Sequence, residues 1–160
     1  MEYLDVVNEK DEVIGKASKE DIYKKSLSHR IVHVLVFNGA GEMALQLRGK
    51  DVYYCPSHWC TSAGGHVKSG ESYETAARRE LKEECGIDTE IEFMYQDIYF
   101  HKETLKKFLS IFKAVYNEPL VMRNEEVERI EFFSIDKIKQ MITAGEKVHP
   151  ELAFIIENHF

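Results

Sequence analysis

The sequence predicts an α/β protein with one mixed β-sheet flanked by helices, and three observations support this fold class. First, segments rich in β-branched and apolar residues alternate along the chain with segments of helical periodicity. Second, the chain has 160 residues, a length suited to one core. Third, no repeat, low-complexity tract or Pro/Gly-rich linker divides it. We therefore expect one α/β unit.

The first part of the chain is predicted to be mostly β-structure. Its elements are a hairpin over 3–14, a short helix over 19–25, a strand over Ile31–Phe37 and a strand over Met43–Arg48. Ser18 is suited to be the N-cap of the helix, and Asn38–Gly41 supplies a turn between the two strands. A loop containing Tyr53, Tyr54 and Trp59 follows.

The second part alternates helices with strands. Its elements are a helix over 72–85, strands at about 90–100, 105–116 and near 128–133, and helices over 135–143 and 150–158. Gly86 is a typical residue to follow a helix, Ser134 can cap the next one, and Pro150 fits the first turn of the last.

Composition narrows the class of partner and the compartment. Lys and Arg number 21 and Asp and Glu 28, and the resulting net charge of −7 disfavours binding to duplex nucleic acid or an anionic membrane. No apolar run is long enough to span a bilayer, and the first residues have no secretory pattern. Cys55, Cys60 and Cys85 are too few and too unevenly spaced for a disulfide framework. We expect free thiols and a cytoplasmic protein.

The stretch from Gly65 to Ile87 carries the chemistry. At about 100° per residue, Glu80, Glu83 and Glu84 lie within an arc of roughly 100° on one helix face. An apolar stripe that includes Leu81 adjoins them and would pack on the sheet. A run of charges is by itself more often solvated surface than a site.

Like charges at this spacing repel, so something should compensate them. A divalent cation would do so, because Mg²⁺ prefers carboxylate oxygens and often shares its coordination with substrate phosphates. Arg79 offers a guanidinium that can fork onto a carboxylate such as Glu71. Gly64, Gly65 and Gly70 would allow a tight loop with backbone groups close to the metal.

The whole stretch follows the pattern Gly-x5-Glu-x7-Arg-Glu-U-x-Glu-Glu-x-Gly-U, where U is aliphatic, at every specified position from Gly65 to Ile87. A chance match is on the order of 10⁻⁷ or below at average residue usage. The chain resembles a Nudix hydrolase. The resemblance implies an α/β/α sandwich with a central mixed sheet over residues 29–160, with the hairpin and short helix of 1–28 part of the same unit. It also implies hydrolysis of a nucleoside diphosphate linked to another moiety, by attack of water at phosphorus.

The resemblance also assigns roles, and all are expectations at this point. Glu80 and Glu84 would be the main ligands of Mg²⁺ or Mn²⁺, and a backbone carbonyl of the Gly64–Gly65 turn would complete the set. Glu83 would be a further ligand or orient the water, and it is the first candidate for the general base. Glu125 or Glu126 is the second candidate. Arg79 would brace the catalytic carboxylates, and the structural positions of the motif would be Gly65, Glu71 and Gly86.

A second resemblance predicts different chemistry on the same fold. The block from His29 to Asn38 and the one from Trp59 to His66 are similar to type 1 isopentenyl-diphosphate isomerase. That family uses a cysteine two residues before the histidine that aligns with His66, and this chain has Gly64 there. It also uses a Glu-x-Glu on the strand after the motif, whereas Leu105–Val115 contains no Glu. The histidines of the isomerase's metal site have counterparts in His29 and His66. Isomerase or prenyl diphosphate hydrolase activity is therefore the alternative to the hydrolase.

Substrate identity is the least determined feature of the sequence. Arg48 is a candidate phosphate contact, Tyr54 and Trp59 could stack on a base or shield an apolar tail, and His66 adjoins the motif. A small-molecule diphosphate is expected, and a homodimer is compatible with the sequence. A catalytically idle Nudix domain that senses nucleotides is a third reading, disfavoured by the complete carboxylate set and the lack of residues for a DNA-binding domain.

Overall fold

The computed structural model describes residues 1–121 and 125–160. Helices and strands follow one another in this order: β1 Tyr3–Val7, β2 Val13–Ser18, α1 Lys19–Lys24, β3 His29–Phe37, β4 Met43–Arg48, β5 Trp59–Cys60, β6 Ala63–His66, α2 Tyr73–Cys85, β7 Glu92–His101, β8 Leu105–Val115, β9 Val127–Phe133, α3 Ile135–Thr143 and α4 Pro150–His159.

One mixed sheet forms the centre of the molecule. Its main path is β5-β4-β3-β8-β7, with β6 paired to β3 and β9 paired to β4. β3 and β8 run parallel in continuous register from the His29–Lys107 pair to the Phe37–Val115 pair, and the other pairs are antiparallel. β1 and β2 form a separate two-stranded sheet.

Helices cover both faces of the central sheet. Successive residues of β3 point to opposite faces and therefore pack against different helices. Val34 belongs to the cluster that α2 closes with Ala77, Leu81 and Cys85. Leu35 belongs to the cluster that α3 and α4 close with residues such as Ile138 and Leu152. The arrangement confirms the predicted α/β/α sandwich with a mixed sheet.

The predicted helix boundaries have the expected local causes. The side chains of Ser18, Ser72 and Ser134 each accept a backbone N–H in the first turn of α1, α2 and α3. Gly86 ends α2 in the left-handed conformation, at φ 69°. Pro150 lies in the first turn of α4, as predicted.

The segment at the start of the motif differs from its predicted structure. Gly64 and Gly65 do not form a tight loop; they lie in β6, where they pair with His33 and Val32 of β3. Glycine has low strand propensity, so the extended conformation comes from pairing with β3 and not from local sequence. Trp59 likewise belongs to a short strand, β5, instead of a loop.

The N-terminal segment contacts the loop that precedes α2. The Ser69 hydroxyl donates to Asp5 Oδ1 at 2.8 Å, and the Gly70 amide donates to Asp5 Oδ2 at 3.1 Å. The division into residues 1–28 and 29–160 stays a prediction. No helix within the described residues has the length and apolar character needed to cross a membrane.

Candidate active site

The acidic face of α2 borders a cavity of about 910 Å³ at one end of the sheet. Glu80 and Glu84 line this cavity. The Glu80 side chain is 14% exposed and Glu84 is partly buried, whereas the Glu83 side chain is 57% exposed. Glu83 is not among the described residues that line the cavity. The three carboxylates therefore share a helix face but differ in their environment.

Arg79 holds this face in place through the predicted fork. Its Nε and Nη2 donate to the two oxygens of Glu71 at 2.8 and 2.9 Å. Its Nη1 donates to Glu80 at 2.8 Å and to Glu83 at 3.3 Å, and Nη2 also reaches the carbonyl of His66 at 3.1 Å. The hydrogen bonds from Arg79 lower the pKa of Glu71. One guanidinium thus links α2 to the loop before it and to β6.

Two glycines of β6 let the carboxylates approach the sheet. The Gly64 amide donates to Glu84 Oε2 at 2.8 Å. A Cβ at Gly65 would collide with the Glu80 carboxylate, and one at Gly64 would lie 2.9 Å from the Val32 carbonyl oxygen. Both positions therefore require glycine for close packing, in agreement with the place of Gly65 in the motif.

Two carboxyl groups are crowded together at this end of the cavity. Burial raises the pKa of Glu84 to about 8, and the neighbouring charge of Glu80 adds to the effect. Burial also raises the pKa of Glu80, against the opposing effect of Arg79. Two crowded carboxylates of this kind disfavour their own ionisation, and a bound cation would relieve the repulsion.

The donor set fits a hard divalent cation by its chemistry. Carboxylate oxygens are the ligands that Mg²⁺ and Mn²⁺ prefer, and Glu80 and Glu84 present theirs to the same cavity. Within residues 1–121 and 125–160, no three His, Cys, Asp or Glu side chains already converge as a ready-made metal centre. Glu80 is engaged by Arg79 and Glu84 by the Gly64 amide.

A polar network that the sequence analysis missed forms another wall of the cavity. His33 Nδ1 lies 2.7 Å from Thr61 Oγ1, and His33 Nε2 lies 2.9 Å from Glu151 Oε1. The Lys107 ammonium donates to Glu151 Oε2 at 3.1 Å. All four residues line the cavity and are buried. His33, a polar residue within the apolar run of β3, was the sequence signal for this network.

Tyr23 of α1 joins a pair of histidines at the cavity edge. The rings of His29 and His66 stack at 5.6 Å between centroids, and the Tyr23 hydroxyl lies 2.6 Å from His66 Nε2. Burial lowers the pKa of His29 to about 4 and that of His66 to about 3. His29 Nε2 is the one buried side-chain nitrogen or oxygen in the described part of the chain that has no hydrogen-bond partner.

The structure brings most, but not all, of the predicted substrate residues to the cavity. Arg48, Tyr54 and His66 line it, and Arg48 Nε donates to the Tyr54 carbonyl at 2.9 Å. Trp59 is not among the described lining residues; it is 9% exposed and packs edge-on against Phe133 at 5.0 Å. The Trp59 ring therefore serves the core, which corrects the expectation that it would contact substrate.

The remaining candidates also separate by position. Glu126 lines the cavity, whereas Glu125 is not among the described residues that do. Cys60 lines it as well, and burial raises the pKa of its thiol to about 12. Cys85 is a core residue whose thiol donates to the Ser62 carbonyl at 3.2 Å.

The α/β/α sandwich and the carboxylates that α2 presents to the cavity agree with the family resemblance of the sequence. The Nudix domain family matches residues 27–153. The chain belongs to the Nudix family and is a Nudix hydrolase.

Two curated relatives and one solved structure illustrate the similarity, and the relatives are named for different activities. An uncharacterized Nudix hydrolase of Yersinia pestis is 31% identical over 130 residues, which cover 81% of this chain and 71% of the relative. Isopentenyl-diphosphate Delta-isomerase 2 of Photorhabdus laumondii is 29% identical over 152 residues, 92% of this chain and 86% of the relative. The crystal structure of DR0079 from Deinococcus radiodurans superposes with a TM-score of 0.87 at 26% identity and covers 99% of both chains.

Proposed function

We propose that this Nudix hydrolase cleaves the diphosphate linkage of a nucleoside diphosphate linked to another moiety, with Mg²⁺ or Mn²⁺ and by attack of water at phosphorus. The observation that carries the proposal is the pair Glu80 and Glu84, which face one cavity and are braced through Arg79 and the Gly64 amide. The cavity volume of about 910 Å³ is in the range of sites for small organic ligands.

Glu80 and Glu84 would hold the metal, and a carbonyl from Gly64 or its neighbour would support it. Such an ion would supply positive charge that neutralises phosphate oxygens and favours ionisation of the attacking water. Arg79 keeps Glu80 oriented, because its N–H groups engage Glu80 and Glu71 together, and the Gly64 amide orients Glu84. Preorganised charge of this kind lowers the barrier without reorganisation during the reaction.

Proton removal from the attacking water needs a base within reach. We propose Glu83 for this role, because its exposed carboxylate lies beside the ligands on α2 and contacts Arg79 at 3.3 Å. Glu126 is the alternative, since it lines the cavity. Each residue is replaced by Gln, and the pH dependence of kcat is compared with that of the wild type. The residue whose replacement removes the acidic limb of the profile is the base.

We further propose that the protein works in the cytoplasm, where its three free cysteines would stay reduced. The ligand is a small molecule and not duplex nucleic acid, consistent with the net charge of −7. The homodimer stays a prediction.

The test is a cleavage screen with Mg²⁺ or Mn²⁺ over nucleoside diphosphate sugars, dinucleotides, nucleoside triphosphates, NAD(H), coenzyme A and prenyl diphosphates, in which release of the phosphomonoester or pyrophosphate products is followed by chromatography and mass spectrometry. Glu84→Gln is the blank, and Glu74→Gln is the matched control, because Glu74 lies on the same helix but is solvent-exposed. Release that requires Glu84 and not Glu74 supports the hydrolase. Equal release by both variants contradicts it.

Isomerisation of isopentenyl diphosphate is the second candidate. The Photorhabdus relative and the stacked pair His29 and His66 favour it. Gly64 has no thiol to offer, and β8 contains no Glu, so the residues for protonation and deprotonation would have to differ from those of the isomerases. Proton NMR of the isopentenyl diphosphate reaction separates the two, because the isomers have equal mass but different spectra: isomer without hydrolysis products supports the isomerase.

A further inference from the structure

The buried ion pair between Lys107 and Glu151 is left unused by the hydrolytic chemistry. Lys107 is 4% exposed, yet its side chain lines the cavity that contains Glu80 and Glu84. A buried ion pair is seldom a net source of stability, because desolvation offsets the attraction. Two apolar side chains of similar size would fill this space without the free-energy cost of desolvating two charges. The retention of both charges at a cavity wall therefore indicates a role in binding.

Lys107 carries its positive charge in the cavity. Burial favours the neutral amine, but the charge of Glu151 and the contact with Tyr23 outweigh it, and the pKa of Lys107 is raised. The ammonium nitrogen lies 5.5 Å from the centroid of the Tyr23 ring. Within the described residues, Glu151 and the Tyr23 hydroxyl occupy at most two of its three N–H groups. At least one donor is left for a ligand oxygen.

Glu151 is fixed independently of Lys107. Its other oxygen contacts His33, whose second ring nitrogen contacts Thr61. The carboxylate therefore cannot follow the lysine if the ammonium moves, and Thr61, His33 and Glu151 act as positioning residues for Lys107. A binding group held in this way loses little conformational freedom when a ligand arrives.

The sheet topology separates this cation from the acidic end of the cavity. Gly64 and Gly65, which contact Glu84 and approach Glu80, lie in β6; Lys107 lies in β8; and β3 runs between them. At about 4.8 Å per strand, the two outer strands are about 10 Å apart. The cavity thus has an acidic end suited to a metal-bound phosphate and a cationic wall suited to a different anionic group.

We propose that Lys107 binds a second anionic group of the substrate, a phosphate or carboxylate other than the phosphate that is attacked, with Glu151 holding its ammonium in position. The inference rests on the proposed function for the identity of the reaction. It restricts the substrate to diphosphates with a further acidic group beyond the reacting phosphorus. A diphosphate whose other end is a neutral alkyl group would leave Lys107 without a ligand oxygen.

The first test needs no catalysis. Inorganic phosphate and, separately, malonate are titrated into the metal-free protein with EDTA at constant ionic strength, and backbone amide shifts near Lys107 and Tyr23 are followed by NMR. Lys19, Arg48 and Lys102 also line the cavity, so the loss of the response in Lys107→Met, and not the response alone, identifies Lys107 as the site. We expect a saturable response that Lys107→Met weakens at least about tenfold. The stronger of the two probes identifies phosphate or carboxylate as the preferred group.

Lys106→Met is the matched control, because the adjacent residue of the strand points to the other face, where its nitrogen lies 5.1 Å from the centroid of Phe108. Lys107→Met leaves Glu151 with one cation fewer, so Lys107→Met/Glu151→Gln is measured as well to keep the site neutral and folded. An unchanged response in both Lys107 variants, or an equal loss in Lys106→Met, overturns the proposal.

The second test uses the substrate found by the screen. Lys107→Met should raise KM at least about tenfold and change kcat by less than about threefold, because the group binds without touching the reacting phosphorus. A Glu84-dependent hydrolase with unchanged KM in Lys107→Met would refute this inference and leave the proposed function standing. If phosphate binding depends on Lys107 but the protein hydrolyses nothing in the screen, the anion site stands and the proposed function is contradicted.

Discussion

The Gly64 amide donates a 2.8 Å hydrogen bond to Glu84 Oε2, and so the strand β6 positions a carboxylate of the helix α2. The same strand places Gly65 directly against Glu80. Gly64 and Gly65, which are adjacent in the sequence, thus set the geometry of Glu84 and Glu80, which lie 20 and 15 positions further along the chain. The site depends on the docking of a glycine strand against a helix as much as on the helix itself.

Glu84→Gln should lower kcat by at least about two orders of magnitude and leave the fold intact. The amide oxygen of Gln can still accept from Gly64, but the charge that would hold the metal is lost. Steady-state kinetics on the substrate from the screen and a thermal unfolding curve check both parts. A variant with wild-type kcat would place the metal site elsewhere.

Gly65→Ala should weaken metal binding, because the new methyl group would displace the Glu80 carboxylate. We expect a loss of at least about tenfold in Mn²⁺ affinity, measured by calorimetry, together with lower thermal stability. Gly15→Ala is the control, since nothing in the described structure lies within 4 Å of a Cβ at that position. Equal Mn²⁺ affinity in the two variants would show that Glu80 does not hold the ion.

Cys60→Ala should leave the rate of hydrolysis within about threefold of the wild-type rate. Burial raises the pKa of this thiol to about 12, so it is not a thiolate at neutral pH and offers neither a nucleophile nor a base. Activity per folded molecule is the quantity to compare, with folding verified by circular dichroism. A loss of 100-fold without unfolding would indicate thiol chemistry after all.

The contribution of the buried histidines to the free energy of unfolding should fall as the pH drops from about 6.5 towards 4. Burial holds the pKa of His149 at about 4, and His29 behaves in the same way, so the unfolded chain takes up protons in this range before the folded one does. The stabilising difference is therefore fully present above the unfolded pKa and is lost on acidification.

His149→Asn isolates one part of this effect. The Nδ1 of His149 accepts the Glu151 amide at the start of α4, and Asn is a preferred N-cap that can replace this contact without titrating. Urea unfolding at pH 7 and pH 5 gives the decrease in the free energy of unfolding between the two pH values. This decrease should be smaller by about 1–2 kcal/mol in the variant than in the wild type. Identical losses would mean that His149 does not contribute.

Local sequence was sufficient for the elements that local interactions specify. The helix α2 could be predicted because Ser72, Gly86 and an apolar stripe including Leu81 act within a few turns of one another. The Arg79–Glu71 fork was also foreseeable, since the two residues are eight positions apart around the start of that helix. The family assignment followed from the spacing of the same residues.

Long-range pairing specified the remaining features, for which local sequence patterns are only weak signals. β6 is a strand because β3 pairs with it, although its glycines favour a loop on their own. From the sequence, the Trp59 side chain could contact either a ligand or the core; in the structure it packs against Phe133 in the core. Neither outcome follows from neighbouring residues.

Residue spacing fixed the acidic face of α2 and its brace, because a helix converts sequence distance into direction with a known period. Chain folding alone brought His33 and Glu151, 118 positions apart, within 2.9 Å of each other and gave the cavity its cationic wall at Lys107. Such contacts depend on which strands and helices become neighbours, and that choice minimises the free energy of the whole core instead of any one segment.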